Sequence, residues 1–264
     1  EVRVDATFAR VRERLRSFDG IEAASAAAGF EGELREYQRF GLGWLNFLME
    51  FGFGGCLADD MGLGKTVQVL ALLQARHANG AAKAPSLVVV PRSLLHNWMD
   101  EAARFTPQLR ALDLTGLGRH GRRSEIAHHD IILTTYGTLR RDAESLSKIE
   151  FGHVILDEAT AIKNPASVSA KACRVLRAQH RLALTGTPVE NHIGELWSIF
   201  EFLNPGMLGA ARVFQTVDVS NTDGAERETL LRALRPFILR RTKDQVLQEL
   251  PAKTEQTIHC EMDA

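Results

Sequence analysis

The amino-acid sequence predicts an α/β fold in which helices cover both faces of a mostly parallel β-sheet. Short apolar runs, mostly unbroken by polar residues, are typical of strands buried on both faces of such a sheet. Helical patterns separate several of these runs, and this strand–helix–strand alternation favours a doubly wound sheet. The five runs that we interpret as strands are Gly55–Ala58, Leu87–Val90, Ile131–Thr135, Val154–Leu156 and Leu182–Leu184.

Apolar residues at helical spacing predict helices at both ends of this region. The start of the chain has the pattern of an amphipathic helix, and an Ala/Gly-rich connector, Ala23–Gly29, follows it. A second helix has an aromatic face and ends at a glycine cluster that begins with Gly52. The pattern beyond Gly186 is again helical. The apolar stripes are Val4, Phe8, Val11, Leu15 and Phe18; Trp44, Phe47, Leu48 and Phe51; Ile193, Leu196, Trp197 and Phe200; and Leu230, Leu231 and Leu234.

Composition and charge narrow the class of protein. The chain has 264 residues, 45% hydrophobic and 25% charged, which suits a globular protein with one large α/β domain or two small ones. A formal net charge of -1 excludes an overall basic surface that coats nucleic acid. Its 3 cysteines lack CxxC spacing, so neither a disulfide framework nor a zinc site is indicated. Without a long apolar run or a signal peptide, we expect a cytoplasmic protein with no membrane partner.

The segment Asp-Asp-Met-Gly-Leu-Gly-Lys-Thr at residues 59–66 lies between a predicted strand and a helical pattern, which is the context of a phosphate-binding loop. Glycines let backbone N–H groups surround phosphate oxygens, and the helix N-terminus adds a favourable dipole. Lys65 would neutralise phosphate charge, and the Thr66 hydroxyl would ligate Mg²⁺. Asp59 replaces the first glycine of the strict pattern, and a chance Gly-Lys-Thr is the alternative. The predicted nucleotide contacts are Asp60, Met61, Gly62, Leu63, Gly64, Lys65 and Thr66.

Two adjacent carboxylates, Asp157 and Glu158, end another predicted strand. The carboxyl end of a parallel strand opens onto the same crevice as the phosphate loop. Asp157 would hold the magnesium through water, while Glu158 would orient and deprotonate the attacking water. A solvated acidic turn is the alternative, which the upstream phosphate loop disfavours. Lys65, Asp157 and Glu158 are therefore the predicted catalytic residues, and Thr66 and Asp157 the predicted metal ligands.

A third predicted strand ends in Leu184-Thr185-Gly186-Thr187-Pro188. Small hydroxylated residues beside the carboxylates could sense the γ-phosphate and transmit its loss to a nucleic-acid site. We therefore predict that Thr185, Gly186 and Thr187 couple the two events. The alternative is a simple turn, because Gly and Pro are turn formers.

These segments, in this order, resemble helicase superfamily two and more narrowly its Swi/Snf-type DNA translocases. Leu34-Arg35-Glu36-Tyr37-Gln38, with Gly41 and Trp44, is similar to the entry motif of the family, in which the glutamine reads adenine. An amide can pair with both a donor and an acceptor of the base, so Gln38 fits that role chemically. Without the resemblance, an exposed helical glutamine would be the preferred interpretation.

The resemblance also covers the remaining motifs. The phosphate loop is similar to that of the family, including Asp59. Val90-Pro91-Arg92-Ser93 with Trp98, and Thr134-Thr135-Tyr136, resemble motifs that face the DNA backbone. The resemblance thus implies nucleic-acid contacts from Pro91, Arg92, Ser93, Thr134, Thr135 and Tyr136. Asp157-Glu158 with Lys163-Asn164-Pro165 is similar to the magnesium motif, and Thr185–Pro188 with Glu190-Asn191 to the coupling motif. Phe237–Lys243 with Leu250-Pro251 resembles the exit from the first lobe of the motor.

The chain departs from the family in two places. Thr160 stands where the family commonly has a histidine that helps couple hydrolysis to movement. Residues 210–227 are short and irregular beside the helical protrusion of the family. The chain also leaves no room for the second lobe, which supplies arginines to the γ-phosphate. We therefore expect this lobe to bind nucleotide with little turnover, because losing such an arginine costs about 10³–10⁵ in rate.

The resemblance implies a three-layer RecA-like P-loop NTPase lobe with a mostly parallel sheet and helical additions at both ends. Residues 1–33 would form the amphipathic helix and connector, 34–204 the ATP-binding lobe, and 205–264 the protrusion and exit segment. It implies ATP and Mg²⁺ as cofactors, double-stranded DNA and a second RecA-like lobe as partners, and a protein target on the DNA that the sequence does not identify. The Ala- and Arg-rich composition favours a bacterial source and hence a nucleoid location.

The leading functional hypothesis is a double-stranded DNA translocase that remodels protein–DNA complexes. A strand-separating helicase and the motor lobe of a restriction system are alternatives within the same enzyme class. A nucleotide-regulated binding module without turnover is an alternative from another class.

Overall fold

The computed structural model describes residues 20–186, 193–209, 229 and 231–249. Seven strands form one sheet in the order β3-β4-β2-β5-β6-β1-β7, and every neighbouring pair is parallel. All five predicted strands are present in it. The strands are β1 Gly55–Leu57, β2 Ser86–Val90, β3 Ala111–Asp113, β4 Ile131–Thr135, β5 Glu150–Leu156, β6 Arg177–Leu184 and β7 Ile238–Leu239. The predicted α/β fold with a mostly parallel sheet is therefore confirmed.

Helices pack on both faces of the sheet. The α-helices with defined bounds are α1 Glu36–Phe51, α2 Lys65–Ala78, α3 Leu95–Phe105, α4 Arg119–Arg122, α5 Tyr136–Leu146, α6 Val168–Arg174 and α7 Ile193–Leu203, and residues 231–234 are also helical. Short 3₁₀ helices cover Arg92–Leu94, Arg123–His128, Ala159–Ile162, Arg235–Phe237 and Asp244–Glu249. Within the ranges that the structure describes, no helix has the length and apolar character needed to cross a membrane.

The core consists of two layers, one on each face of the sheet, because successive side chains of a strand point to opposite faces. On β2, Leu87 and Val89 join the layer beneath α5, α6 and α7, whereas Val88 and Val90 join the layer beneath α1, α2 and α3. All four side chains are fully buried. This burial on both faces explains the unbroken apolar sequence of the strand and produces a three-layer architecture.

Two strands were not predicted. Strand β3 has three residues and ends in Asp113, so its apolar run is too short to stand out. Strand β7 has only two residues and pairs with β1. The segment Phe237–Lys243, which resembles the lobe exit of the family, thus supplies an edge strand of the same sheet.

The N-terminal connector packs on the helical layer. Residues 20–33 have no regular helix or strand, yet Ile21, Ala24 and Phe30 contact the core. The ring of Phe30 stacks on that of Phe105, with 5.8 Å between centroids. The predicted amphipathic helix and the segment 210–227 lie outside the described residues, so the division into 1–33, 34–204 and 205–264 stays a prediction.

Strand pairing aligns the carboxyl ends of six strands at one edge of the sheet. Leu57 of β1 pairs with Leu184 of β6 and with Leu239 of β7. Leu156 of β5 pairs with Ala183, which precedes Leu184 on β6, and with Val89 of β2. Strand β4 ends level with β2. The segments that follow these strands carry the phosphate loop, Pro91–Ser93, Asp157-Glu158 and the start of the coupling motif, which therefore meet at this edge.

The opposite end of the sheet holds a pair of histidines, of which His153 is buried and His180 is half-buried. His153 of β5 and His180 of β6 are register partners, with ring centroids 5.0 Å apart. Burial lowers the pKa of His153 well below its usual range, and His180 and Arg76 lower it further. Burial and Arg76 also lower the pKa of His180. Because a histidine of the unfolded chain has a pKa of about 6.5, the unfolded state takes up protons first as the pH falls.

We predict that the free energy of unfolding decreases below about pH 6.5, by about 1 kcal/mol per pH unit for each histidine that stays neutral in the fold. His153→Phe keeps a ring at this site but removes one titrating group, so its stability should fall less between about pH 7 and pH 5.5. Urea unfolding at several pH values measures this. The exposed His128 provides the control, and a similar acid dependence in H153F and H128Q would contradict the prediction.

Candidate functional site

The loop between β1 and α2 has the geometry of a phosphate cradle. Gly64 precedes α2 in a left-handed conformation, with φ 72° and ψ 45°. A Cβ at this position would lie 2.5 Å from Nε2 of Gln38, so only glycine fits here. Helix α2 has neither a side-chain cap nor an acidic residue in its first turn. Its first N–H groups have no acceptor within the helix and are therefore available to an anion.

Lys65 lies between this loop and the end of β6. Its Nζ donates to the backbone carbonyl oxygens of Asp59, at 2.7 Å, and Asp60, at 3.3 Å. A Cβ built on Gly186 would be 3.7 Å from the same Nζ, which brings the predicted coupling segment to the lysine. The ammonium is thus held close to the loop by weak acceptors that phosphate oxygens can replace.

Asp157 is held at three points at the end of β5. Its Oδ1 accepts from the backbone N–H of Glu158 at 2.9 Å, and its Oδ2 accepts from Nε1 of Trp98 at 2.8 Å. Its carbonyl oxygen accepts from the hydroxyl of Tyr136 at 2.8 Å. Both donating side chains are buried. These bonds orient the carboxylate and the backbone that carries it.

Glu158 has a left-handed backbone conformation, with φ 48° and ψ 57°. Among the described non-glycine residues it alone has a positive φ. Such a conformation costs on the order of 1–3 kcal/mol and persists only where its surroundings enforce it. The N–H of Glu158 donates to Oδ1 of Asp157, and the carbonyl oxygen of Asp157 accepts from Tyr136, so the peptide group that joins the two residues is held at both of its polar atoms.

The two carboxylates share an electrostatic environment with Lys65. Burial raises the pKa of Asp157, while the bonds from Trp98 and Glu158 and the charge of Lys65 lower it. Burial also raises the pKa of Glu158, as does the neighbouring Asp157 charge, and Lys65 opposes both. The charge of Lys65 therefore lies within electrostatic range of both carboxylates. A raised pKa improves a carboxylate as a proton acceptor at neutral pH.

The residues present suit a magnesium ion. The carboxylate of Asp157 and the hydroxyl of Thr66, which lies in the first turn of α2, are oxygen donors of the kind Mg²⁺ prefers. Magnesium usually takes only one or two protein ligands and shares the rest with phosphates and water. The described ranges contain no group of three or more His, Cys, Asp or Glu that could enclose a metal alone.

Gln38 lies behind the phosphate loop. It is 7% exposed, which excludes the interpretation as an exposed helical glutamine. Its Oε1 accepts from the backbone N–H of Arg35 at 3.0 Å, and its Nε2 donates to the carbonyl oxygen of Leu63 at 3.3 Å. The hydroxyl of Tyr37 donates to the same carbonyl at 3.2 Å. The amide therefore braces the loop, and adenine reading stays a prediction.

A buried ion pair explains the aspartate at the first position of the loop. Asp59 is fully buried, and its carboxylate accepts from the backbone N–H and the guanidinium of Arg241. Nε2 of Gln68 donates to it at 3.4 Å. The guanidinium also lies 5.2 Å from the ring centroid of Tyr37 and donates to its carbonyl oxygen. The exit segment is thereby tied to the phosphate loop across 182 positions of sequence.

The predicted DNA contacts divide into exposed and buried side chains. Arg92 and Ser93 are exposed after β2, at the same edge of the sheet, with Pro91 half-buried beside them. Thr134 is fully buried and donates to the carbonyl oxygen of Leu114. Tyr136 is also buried.

The hydroxyls of Thr134 and Tyr136 both bond inside the fold, and their role as DNA contacts stays a prediction. Thr135 caps helix α5 by accepting from the N–H of Thr138. Of the predicted coupling residues, Thr185 is buried and Gly186 lies beside Lys65, whereas Thr187 lies outside the described residues.

We predict that Asp59→Gly destabilises the chain although it restores the glycine of the strict loop pattern. The variant leaves the Arg241 guanidinium buried without its carboxylate, and removing one partner of such a pair costs about 3–5 kcal/mol. Asp59→Asn keeps acceptors for part of the network and should lose less. Urea unfolding followed by circular dichroism compares the three proteins, and a D59G chain as stable as the parent would contradict the assignment.

Comparison with known proteins identifies the family of this chain. Residues 37–264 match the model of the SNF2-related domain. The putative ATP-dependent helicase/translocase YwqA of Bacillus subtilis (strain 168) is 40% identical over 252 residues, which cover 92% of this chain and 27% of that protein. The TATA-binding protein-associated factor mot1 of Schizosaccharomyces pombe is 38% identical over 270 residues, covering 92% of this chain and 14% of its own length.

A solved structure supports the same assignment. The Sulfolobus solfataricus SWI2/SNF2 ATPase core in complex with dsDNA superposes with a TM-score of 0.80 at 40% identity, covering 89% of this chain and 49% of that one. The chain thus spans about half of that core and a smaller share of the full-length relatives. Its parallel sheet has the RecA-like fold of that core. The chain belongs to the SNF2-related domain family of helicase-like ATPases.

Proposed function

We propose that this chain is the ATP-binding lobe of a DNA-dependent ATPase that moves along double-stranded DNA and remodels protein–DNA complexes. The observation that carries the proposal is the position of Lys65 at the uncapped N-terminus of α2, beside Gly186 and within electrostatic range of Asp157 and Glu158. A bound triphosphate needs a cation and free N–H donors beside its phosphates. Hydrolysis also needs a group that accepts a proton from the attacking water.

Each residue has a distinct part in this mechanism. The loop and the first turn of α2 bind the phosphates, and Lys65 exchanges its two backbone acceptors for phosphate oxygens. Thr66 and Asp157 would hold Mg²⁺, which neutralises phosphate charge when bound. Glu158, with its raised pKa, orients the attacking water and accepts its proton. Trp98 acts through Asp157, whose Oδ2 it keeps in place.

Double-stranded DNA is the proposed track, since the 40% identical Sulfolobus core was solved with dsDNA. The exposed Arg92 and Ser93 would contact its backbone at the edge of the sheet. Because the chain covers 49% of that core, we propose that a second lobe completes the motor and that this lobe alone turns over slowly. A nucleotide-regulated module without turnover is the second candidate, favoured by Thr160 in the position of the coupling histidine.

We predict that the chain binds MgATP and that Lys65→Ala weakens binding by roughly tenfold to a hundredfold, as expected when a buried charge pair is lost. Glu158→Gln should retain binding, because this carboxylate acts on water and not on the phosphates. Calorimetric titration measures both. Hydrolysis by the chain should stay near background with or without duplex DNA. Fast DNA-stimulated turnover by this chain alone would contradict the proposed need for a second lobe.

Trp98→Phe tests how Asp157 is positioned. The variant removes a hydrogen bond that lowers the pKa of Asp157, so that pKa should rise further. We expect the Mg²⁺-dependent part of ATP binding to weaken by about tenfold, with its pH profile displaced to higher pH. Binding of ATP in EDTA should change little. Equal losses with and without Mg²⁺ would show that Trp98 serves only the core.

A further inference from the structure

The exit segment is built firmly against the phosphate loop. Its 3₁₀ helix starts with a reciprocal cap. The N–H of Thr242 donates to Oε1 of Gln245 at 2.9 Å, and the N–H of Gln245 donates to Oγ1 of Thr242 at 3.4 Å. Val246 packs with Leu63 of the loop in a small buried cluster. These contacts fix the position of the intervening residue, Lys243.

The backbone of Lys243 is bonded to the loop itself. Its N–H donates to Oδ2 of Asp60 at 3.1 Å. Two positions earlier in the chain, the carbonyl oxygen of Arg241 accepts from the N–H of Asp60 at 3.0 Å. The phosphate loop and the exit segment therefore lie side by side. Because both bonds use backbone atoms of the exit segment, this arrangement does not depend on the side chain at position 243.

The side chain of Lys243 extends over the phosphate loop at Gly62. A Cβ built on Gly62 would lie 3.8 Å from its Cε and 3.9 Å from its Nζ. The residue is exposed, and within the described ranges no carboxylate lies within ion-pairing distance of its ammonium. Asp60 binds the backbone N–H of Lys243 without pairing with its charge. An unpaired cation is thus held beside backbone that is shaped for phosphate.

We propose that Lys243 is a second nucleotide-binding cation, which contacts the phosphate chain of a nucleoside di- or triphosphate in the loop. The inference rests on the proposed function. A triphosphate carries several negative charges, and in this cradle Lys65 supplies one cation from the loop itself. Lys243 adds another from a segment 183 positions away from Asp60. It also links bound phosphate to the exit segment, so that the end of the lobe senses whether the loop is filled.

The test compares the affinities of the chain for MgATP, MgADP and adenosine. Lys243→Met should weaken MgATP binding by about fivefold to thirtyfold, as expected for one partly solvated charge contact. The loss should be smaller for MgADP and absent for adenosine. Lys243→Arg restores the charge and should bind within about threefold of the parent chain. The matched control is Lys83→Met, because Lys83 is also exposed but precedes β2 at the opposite edge of the sheet.

The outcomes separate this inference from the proposed function. If Lys65→Ala weakens MgATP binding while Lys243→Met behaves like Lys83→Met, the inference is wrong and the proposed function stands. If the parent chain fails to bind MgATP, the proposed function itself fails. If Lys243→Met weakens the binding of adenosine and of MgATP equally, Lys243 only supports the fold of the segment. The same conclusion follows if the variant lowers the melting temperature of the chain in parallel with its affinity for MgATP. Selective loss with ATP and rescue by arginine support the proposal.

Discussion

In-register parallel pairing of β1, β6 and β5 is the constraint on which the site depends. A parallel strand leaves the sheet in the same direction as its neighbours, so residues that follow level strand ends emerge together. Leu57, Leu184 and Leu156 lie within one step of each other across three strands. A register shift by one residue would move every strand side chain to the apolar layer on the opposite face, where the close packing fits other side chains. The same burial that stabilises the sheet therefore brings the loop that carries Lys65 and the end of β5 to one edge of the sheet.

The ion pair of Asp59 and Arg241 shows how a departure from a motif can be compensated. Burying both charges is costly, and such pairs add little net stability compared with apolar packing. Their advantage here is geometric. The carboxylate accepts from backbone and side chain of the exit segment, and the guanidinium reaches Gln68 and the backbone of Tyr37 as well. Only one arrangement satisfies all of these groups, so the loop, α1, α2 and the lobe exit are held in one relation.

Backbone strain in the described part of the chain is found at Glu158, one of the two carboxylates of the site. Glu158 has a backbone conformation that non-glycine residues avoid, and it directly follows Asp157, whose two carboxylate oxygens both accept hydrogen bonds. Trp98 and Tyr136 come from two different helices and converge on Asp157. Fully buried aromatic residues with satisfied polar atoms are rigid supports. Stability in the core is thus used to maintain an unfavourable local geometry at the pocket.

The sequence alone determined those features that depend on neighbouring residues. The apolar runs of the five central strands, the glycines of the loop and the adjacent carboxylates are local patterns, and each has a physical meaning by itself. Strands β3 and β7 were not predicted, because apolar runs of two or three residues do not stand out in the sequence. The carboxyl-edge location of the site followed once the strands were read as parallel.

The tertiary structure decided which distant residues meet. Trp98 and Asp157 are 59 positions apart, and Asp59 and Arg241 are 182 apart. The interior positions of Thr134 and Tyr136 and the internal bonds of Gln38 also depend on packing between elements. A side chain with both donor and acceptor can serve a ligand or the fold equally well, and its residue type does not distinguish these uses. Distance and burial do, because each hydrogen bond requires a specific partner within about 3 Å.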